Sequence, residues 1–397
     1  MLNRISSFYN HQLVQDNFRS QENKIHHNQL QLTSGNKLIQ ASDNPLDIHY
    51  IQNVNQQLEE LKQYIDSIEL VRNRLVNHEI IISNAETFSD EAKRIVMSMI
   101  NASLSHEDMQ VKSIEIQEIA NNFIKLANFK DTSDSYVFSG TKSKNQPFFF
   151  NKDKKVVYLG DNAQRTVKIS NNLEIAINDP GSTVFMEIHN PYGDFEPQYH
   201  LQYSSKLLLE SAINSDDNDQ SSYAVKFIDM VDGNSGYQLE KDGQVVKVDK
   251  FDPSKGIQYE NISVQVKNQF TTGDCIFLKP RKTYSIFDTF QNIIELTKNP
   301  IKNANFIAKL HQITQEFHTA FIHFNKVHSD IGIRMSTLDA QEEQHKDFQL
   351  TFKKIKSNLE DLDYTEAVIE LNDNLKALQI SQIAFNKTKD LTLFNYI

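Results

Sequence analysis

The chain has 397 residues, 39% of them hydrophobic, and a formal net charge of −11. That is room for roughly two or three domains, and the acidic balance excludes partners that need clustered Lys and Arg, namely a nucleic-acid backbone or an anionic membrane. Trp is absent and Cys275 stands alone, which excludes a disulfide framework and a Cys-based zinc site.

Residues 1–15 contain no apolar core of a secretory signal, and no stretch is apolar enough to span a bilayer. Residues 1–33 read as a helix rich in Gln, Asn and His, with Phe18, Ile25, Leu32 and Ile39 seven apart. Thr33-Ser34-Gly35 interrupts it. Asn44 is placed to cap the next helix, with Pro45 as its first residue and Asp47 as a first-turn acid facing the helix dipole. That helix carries Ile51, Val54, Leu58, Leu61, Ile65, Ile68, Leu75 and Ile82 and runs to about Ser103. Ser105 and Asp108 predict a capping box for a following helix whose apolar face is Val111, Ile114, Ile119, Phe123 and Leu126.

The periodicity changes after Asp131. Short apolar runs separated by turn residues predict strands at 155–159, 166–169, 173–177, 262–266 and 275–278, with one helix near 204–214. The Asp242-Gly243 pair between strand formers predicts a hairpin. A helix is expected from Ser285 or Asp288 to Asn299-Pro300. Beyond it a narrow seam runs through Leu310, Phe317, Phe321, Phe324, Ile331, Met335 and Leu338, slips near His345, and resumes at Phe348, Phe352, Ile355, Leu359 and Leu362. After Asp363-Tyr364 it restarts at Val368, Leu371, Leu375, Leu378 and Phe385.

Seams this long and thin are suited to packing helix on helix. The expected fold is therefore mainly α with a β insert (α+β): a long antiparallel coiled-coil or helical-bundle stalk built from both termini, carrying a central mostly-β head. The expected domains are terminal helical segments at 1–40 plus 364–397, a helical bundle at 41–134 plus 281–363, and the β insert at 135–280.

Leu32-Thr33-Ser34-Gly35 followed by Ser42-Asp43-Asn44-Pro45 resembles the N-terminal signature of the flagellins and their hook–filament relatives, and 359–367, with Asp363-Tyr364, resembles the C-terminal one. Tyr136-Val137-Phe138-Ser139-Gly140, the start Arg4-Ile5-Ser6 and the ending at 391–397 are similar to the hook–filament junction branch of that family. Asn36 and Asn44 depart from the family's usual residues without removing a turn or a cap. The resemblance implies a structural adaptor at the hook–filament junction, exported unfolded through the flagellar type III apparatus and assembled outside the cell. Its implied partners are neighbouring copies in a ring, hook-associated protein 1 on the hook side, flagellin on the filament side and a cytosolic export chaperone, with no nucleic acid, membrane or cofactor. Phe18, Ile25, Leu32, Leu371, Leu375, Leu378 and Phe385 are the expected assembly residues. The alternatives are a flagellin-type filament subunit and a surface adhesin with the β insert as its binding module.

Chemistry is sparse. His311, His318, His323 and His328 share a predicted helix, but spacings of seven and five miss the i, i+4 pairing of a metal site, and His318 and His328 suit polar register positions in the seam. The acidic turn at 216–219 lacks the Gly and closing Glu of a calcium loop. Gly160-Asp161-Asn162-Ala163 is followed by no Gly-Lys-Ser/Thr, so it is no phosphate loop. Cys275 reads as a buried inert thiol, and no nucleophile, base and orienting group come together.

Overall fold

A computed structural model describes residues 2–101, 104–152, 155–216, 219–230, 235–298 and 300–390. The chain opens with α1 (Leu2–Ser34), α2 (Pro45–Asn101) and α3 (His106–Ala127). The middle holds β1 (Phe148–Phe150), β2 (Val156–Tyr158), β3 (Thr166–Ser170), β4 (Leu173–Ala176), the short α4 (Gly181–Phe185) and β5 (Ile188–His189). It continues with β6 (Phe195–His200), β7 (Leu208–Asn214), β8 (Tyr223–Asp229), β9 (Ser235–Lys241) and β10 (Gln244–Lys250). The last strands are β11 (Ile257–Tyr259), β12 (Ile262–Lys267), β13 (Cys275–Pro280) and β14 (Thr283–Tyr284), and α5 (Ile286–Lys298), α6 (Ala304–Glu360) and α7 (Tyr364–Asp390) follow.

The helix boundaries are set by the expected caps. Asn44 Oδ1 accepts from the backbone N–H groups of Leu46 and Asp47, filling two of the donors a helix start leaves open. Ser105 and Asp108 close the reciprocal capping box of α3. In the β9–β10 hairpin Asp242 and Gly243 both take positive φ (48° and 83°), the turn whose twist matches that of the strands.

The chain divides into two compact units, residues 1–66 with 340–397, and residues 67–339. In the second unit α2 and α6 run antiparallel, since partner positions climb on α2 as they fall on α6. Arg72 pairs with Asp339 (2.6 Å), His328 lies between Glu79 and Glu86, and Lys93 meets His318. The seam here is fully sealed: Ile68, Leu75, Ile82, Leu310, Phe317, Phe324, Ile331 and Leu338 have no exposed surface. Phe123 of α3 is the centre of an aromatic group, with the rings of Phe185, Phe287, Phe290 and Phe324 5.4–6.0 Å away.

This core crosses the expected helix–head boundary. Phe148, Val156, Ile169, Ile175, Ile177, Phe185 and Ile188 all belong to it, so β1 to β5 and α4 are packed onto the helices. A separate apolar cluster begins at Tyr192. It is shared by the antiparallel sheet β10-β9-β8-β13-β6, through Phe195, Val225, Phe227, Leu239 and Ile276, and the sheet β11-β12-β7, through Leu209, Ala212 and Val264. The two ends of this part are tied together, as Asn190 N–H donates to the Lys282 carbonyl (2.9 Å) and its side chain to the Arg281 carbonyl (2.7 Å), and Ala308 of α6 joins the cluster.

Two local expectations are corrected. The segment near 204–214 holds strand β7, because pairing with β12 along 208–214 overrides a leucine-rich local preference for helix. The buried face of α3 is Met109, Ile116, Ile119, Ala120, Phe123 and Ala127, while Val111 and Ile114 face outward, 55% and 64% exposed. Either face shares Ile119 and Phe123, so periodicity alone does not fix the rotation of the helix.

Replacing residues 192–279 by a short linker should keep helical circular dichroism and a cooperative melt, because the Phe123 core stays whole. Excising 140–278 instead should abolish the cooperative melt, since it strips Phe148 and Phe185 from that core, each loss worth about 3–5 kcal/mol.

Candidate functional site

The two terminal signatures are brought together in the unit formed by 1–66 and 340–397. Helix α1 ends as its sequence requires. Gly35 takes φ +73°, its N–H donates to the Gln31 carbonyl (2.8 Å), and Thr33 and Ser34 turn their hydroxyls back onto the carbonyls of Gln29 and Gln31. The chain then pairs with its own C-terminal signature. Lys37 N–H donates to the Glu360 carbonyl (2.7 Å), Leu362 N–H donates to the Gly35 carbonyl (3.0 Å), and Asn36 lies opposite Asp361 in an antiparallel bridge. Gln31 Nε2 braces this clasp on the Lys37 carbonyl (2.6 Å).

The flanking signature residues complete the turns. Asp43 Oδ2 accepts from Ile39 and Gln40 N–H, both at 2.9 Å. Partial burial would raise that carboxyl, but the two N–H groups and His27 hold it below the usual carboxylate range. Asp363 caps α7 by accepting from Thr365 N–H (2.8 Å) and Glu366 N–H (3.3 Å). The Tyr364 hydroxyl lies over Gly35, 2.8 Å from where a Cβ would stand. Ser42 and Pro45 are exposed.

Beyond the clasp α1 and α7 pair. Phe18 and Phe385 meet edge to face with centroids 5.9 Å apart, and Tyr64 stacks on the buried His345 at 5.5 Å. Of the expected assembly residues, Ile25 is buried, Phe18, Leu32, Leu371, Leu378 and Phe385 are partly covered, and Leu375 is 45% exposed. Val368, Ile369, Ile380 and Ile383 are also exposed. The last three were missed in the sequence, although Ile380 and Ile383 form an i, i+3 pair on a second face of α7. Asn28 is buried and its Nδ2 lacks a partner, as does Gln21 Oε1 one heptad earlier. Polar groups at such positions set helix register rather than stability.

The junction signature lies in the other unit. Tyr136 pairs with Lys130 in an antiparallel bridge. Phe138 is fully buried, stacked on His78 (5.1 Å) and edge-on to Phe185 (4.9 Å), and its carbonyl accepts from Gly181 N–H and the Tyr158 hydroxyl. Gly140 takes φ +69° beside Asp161, whose carboxylate accepts from Thr141 N–H and hydroxyl.

These residues shape backbone. His318 sits against Lys93, His323 against the Thr183 carbonyl (3.1 Å) and His328 between two glutamates. Among the described residues no three His, Cys, Asp or Glu side chains gather as a metal site. Cys275 is buried and its thiol is pushed up to about 11. The motif at 391–397 and the acidic-turn residues Asp217 and Asn218 lie outside the described residues.

The family described as bacterial flagellin N-terminal helical region matches residues 5–143. Flagellar hook-associated protein 3 of Escherichia coli K12 is 23% identical over 158 residues, 40% of this chain and 49% of that protein. The chain thus spans about half the length of the curated relatives it matches. Two Legionella pneumophila structures share the fold. Flagellar hook associated protein-3 matches at 25% identity and TM-score 0.67, over 78% of this chain and 98% of its own. The flagellar junction protein matches at 24% and 0.66, over 79% and 100%.

Gly35→Ala should weaken the clasp by about 1–2 kcal/mol, the cost of a left-handed backbone with a Cβ. Adding Tyr364→Phe should recover less than half of that, because the hydroxyl is the movable end of an exposed side chain. Gly140→Ala should cost more than Gly35→Ala, as its Cβ would overlap the carbonyl oxygen of Asp161 as well as its carboxylate. Denaturant melts of the single and double variants check the order.

Proposed function

We propose that this chain, a flagellin-family protein by its N-terminal helical region and its fold, is a structural component of the bacterial flagellum that joins the hook side to the flagellin filament. The observation that carries the reading is the half-covered seam of the terminal helices. Leu13, Leu30, Val368, Ile369, Leu375, Ile380 and Ile383 remain exposed beside a rigid backbone clasp. A fully buried side chain of this kind is worth about 1.5–3 kcal/mol, so covering the exposed halves offers on the order of 5–10 kcal/mol per subunit before ordering costs. That suits a subunit whose terminal helices are completed by neighbours. The Legionella structures named hook associated protein-3 and flagellar junction protein support the junction position over that of a filament subunit.

On this reading the neighbours are further copies in a ring, hook-associated protein 1 and flagellin, and the terminal segments 1–40 and 364–397 make the contacts. The chain acts as a part, not as an enzyme. It reaches the outside of the cell through the flagellar type III export apparatus, held beforehand by a cytosolic chaperone. No described helix is long and apolar enough to cross a membrane.

Immunogold labelling of flagella tests the position. Label is expected only at the hook–filament boundary, and label along the filament would make the chain a filament subunit. Replacing Leu375, Leu378 and Phe385 together by Ser should abolish incorporation into the flagellum. The melting temperature of the free chain should change little, because the sealed core lies within residues 67–339 and these three side chains are at most partly covered. A large drop would assign them to the core of the free protein.

A further inference from the structure

Glu316 of α6 is a buried carboxyl, 6% exposed, that neither the clasp nor the apolar seams use. It lies where α5 and α6 meet the root of the second apolar cluster. Its Oε1 is 2.8 Å from the Gln312 amide nitrogen, and its Oε2 is 2.8 Å from the Thr289 hydroxyl. The Gln312 amide has one orientation, because its own oxygen accepts from Lys309 Nζ (3.0 Å). Its nitrogen therefore donates, and Glu316 Oε1 accepts. The Thr289 hydroxyl both gives and accepts, so a proton on Glu316 Oε2 has an acceptor in reach. These contacts fit a neutral carboxylic acid atom for atom.

The charges around Glu316 are matched without it. Arg281 binds Glu196 of β6 (2.8 Å) and Asp288 of α5 (3.0 Å), and Lys309 of α6 lies 3.5 Å from Glu196. Two cations thus face two carboxylates. Burial would raise the Glu196 carboxyl, but Arg281 and Lys309 hold it below the usual range, so it stays ionised. The other neighbours are the hydroxyls of Tyr192, Tyr199 and Tyr284, all buried and all pushed up by burial, which keeps them neutral. The Tyr284 hydroxyl donates to the Glu316 backbone carbonyl. Glu316 closes no ion pair among the described residues. As a carboxylate it would be a third anion for two cations, and the one furthest from water.

We propose that Glu316 is held as a neutral acid in the folded protein and serves as a pH-sensitive fastener between the helices and the strands they carry. When its proton leaves, the new carboxylate repels Glu196 and competes for Arg281 and Lys309, the cations that tie β6 to α5 and α6. Burial pushes the Glu316 carboxyl above the usual glutamate range and Glu196 adds to the rise, while Lys309, Thr289 and Gln312 oppose it. The unfolded chain releases this proton in the ordinary glutamate range, the folded chain only above it. The stabilisation from the site is therefore whole below the ordinary range and is lost as pH rises toward the folded value.

Melts and amide hydrogen exchange of the full chain and of Glu316→Gln, from about pH 5 to about pH 9, test the fastener. A glutamine repeats the contacts of the neutral acid, accepting from Gln312 and donating to Thr289, so the variant should fold. It is expected to match the unaltered chain in acid and to melt above it in alkali. In the unaltered chain, exchange at 192–200 and 281–284 should quicken relative to the variant by up to about tenfold per pH unit. Identical pH profiles overturn the proposal, and so does a variant that melts below the unaltered chain throughout. If Glu316→Gln does not fold, infrared spectra of the unaltered chain decide. The band of a buried carboxylic acid, present at about pH 6 and lost in alkali, is expected, and its absence overturns the proposal.

Discussion

A pair of helices can cover only one face of each member, and this constraint governs what the chain does along its length. Where further layers are added, the seam is sealed. Phe317 and Phe324 of α6 have no exposed surface because α3, α5 and the first β hairpins close over them. Where α1 pairs with α7, the same kind of seam stays half open, with Leu375 and Ile380 facing out. The hydrophobic gain per side chain is the same in both places; the number of neighbours decides how much of it is realised.

The aromatic group around Phe123 explains why the β-rich middle does not fall cleanly into a head. Edge-to-face and tilted contacts with Phe185, Phe287, Phe290 and Phe324 need rings from a short helix, from α5 and from α6 at once. Phe148 of β1 joins through Phe185 and Phe287. The hairpins are therefore part of what seals the helices, and the second apolar cluster starts only at Tyr192.

The signature residues act on backbone more than on partners. Gly35 permits the left-handed turn that ends α1, Asp43 gathers two N–H groups, Asp363 starts α7, and Tyr364 covers the glycine. Together they hold the ends of α1 and α7 side by side. The open stripe is thereby presented by a pre-organised pair, which lowers the ordering cost of any association.

Much of this was legible in the sequence, because the relevant physics is local. Asn44, Ser105 and Asp108 announce helix starts through side chains that reach only a few residues; Asp242-Gly243 announces its turn through its own dihedral preferences; the seams announce long helices through period alone. The resemblance of 32–45 and 359–367 to one family agrees with the family model that matches residues 5–143 and with the fold shared with the Legionella structures. What tertiary structure decided were matters of partner and rotation. Residues 204–214 became a strand because β12 was there to pair with, and α3 buried Met109 and Ile116 in place of Val111 and Ile114 because both faces are apolar and only the neighbour selects one. The clasp between Gly35 and Leu362 joins residues far apart in the chain through backbone atoms that every amino acid carries, so no side chain spells it. How much of each seam is covered also depends on how many elements surround it, and a sequence lists the apolar side chains without their neighbours.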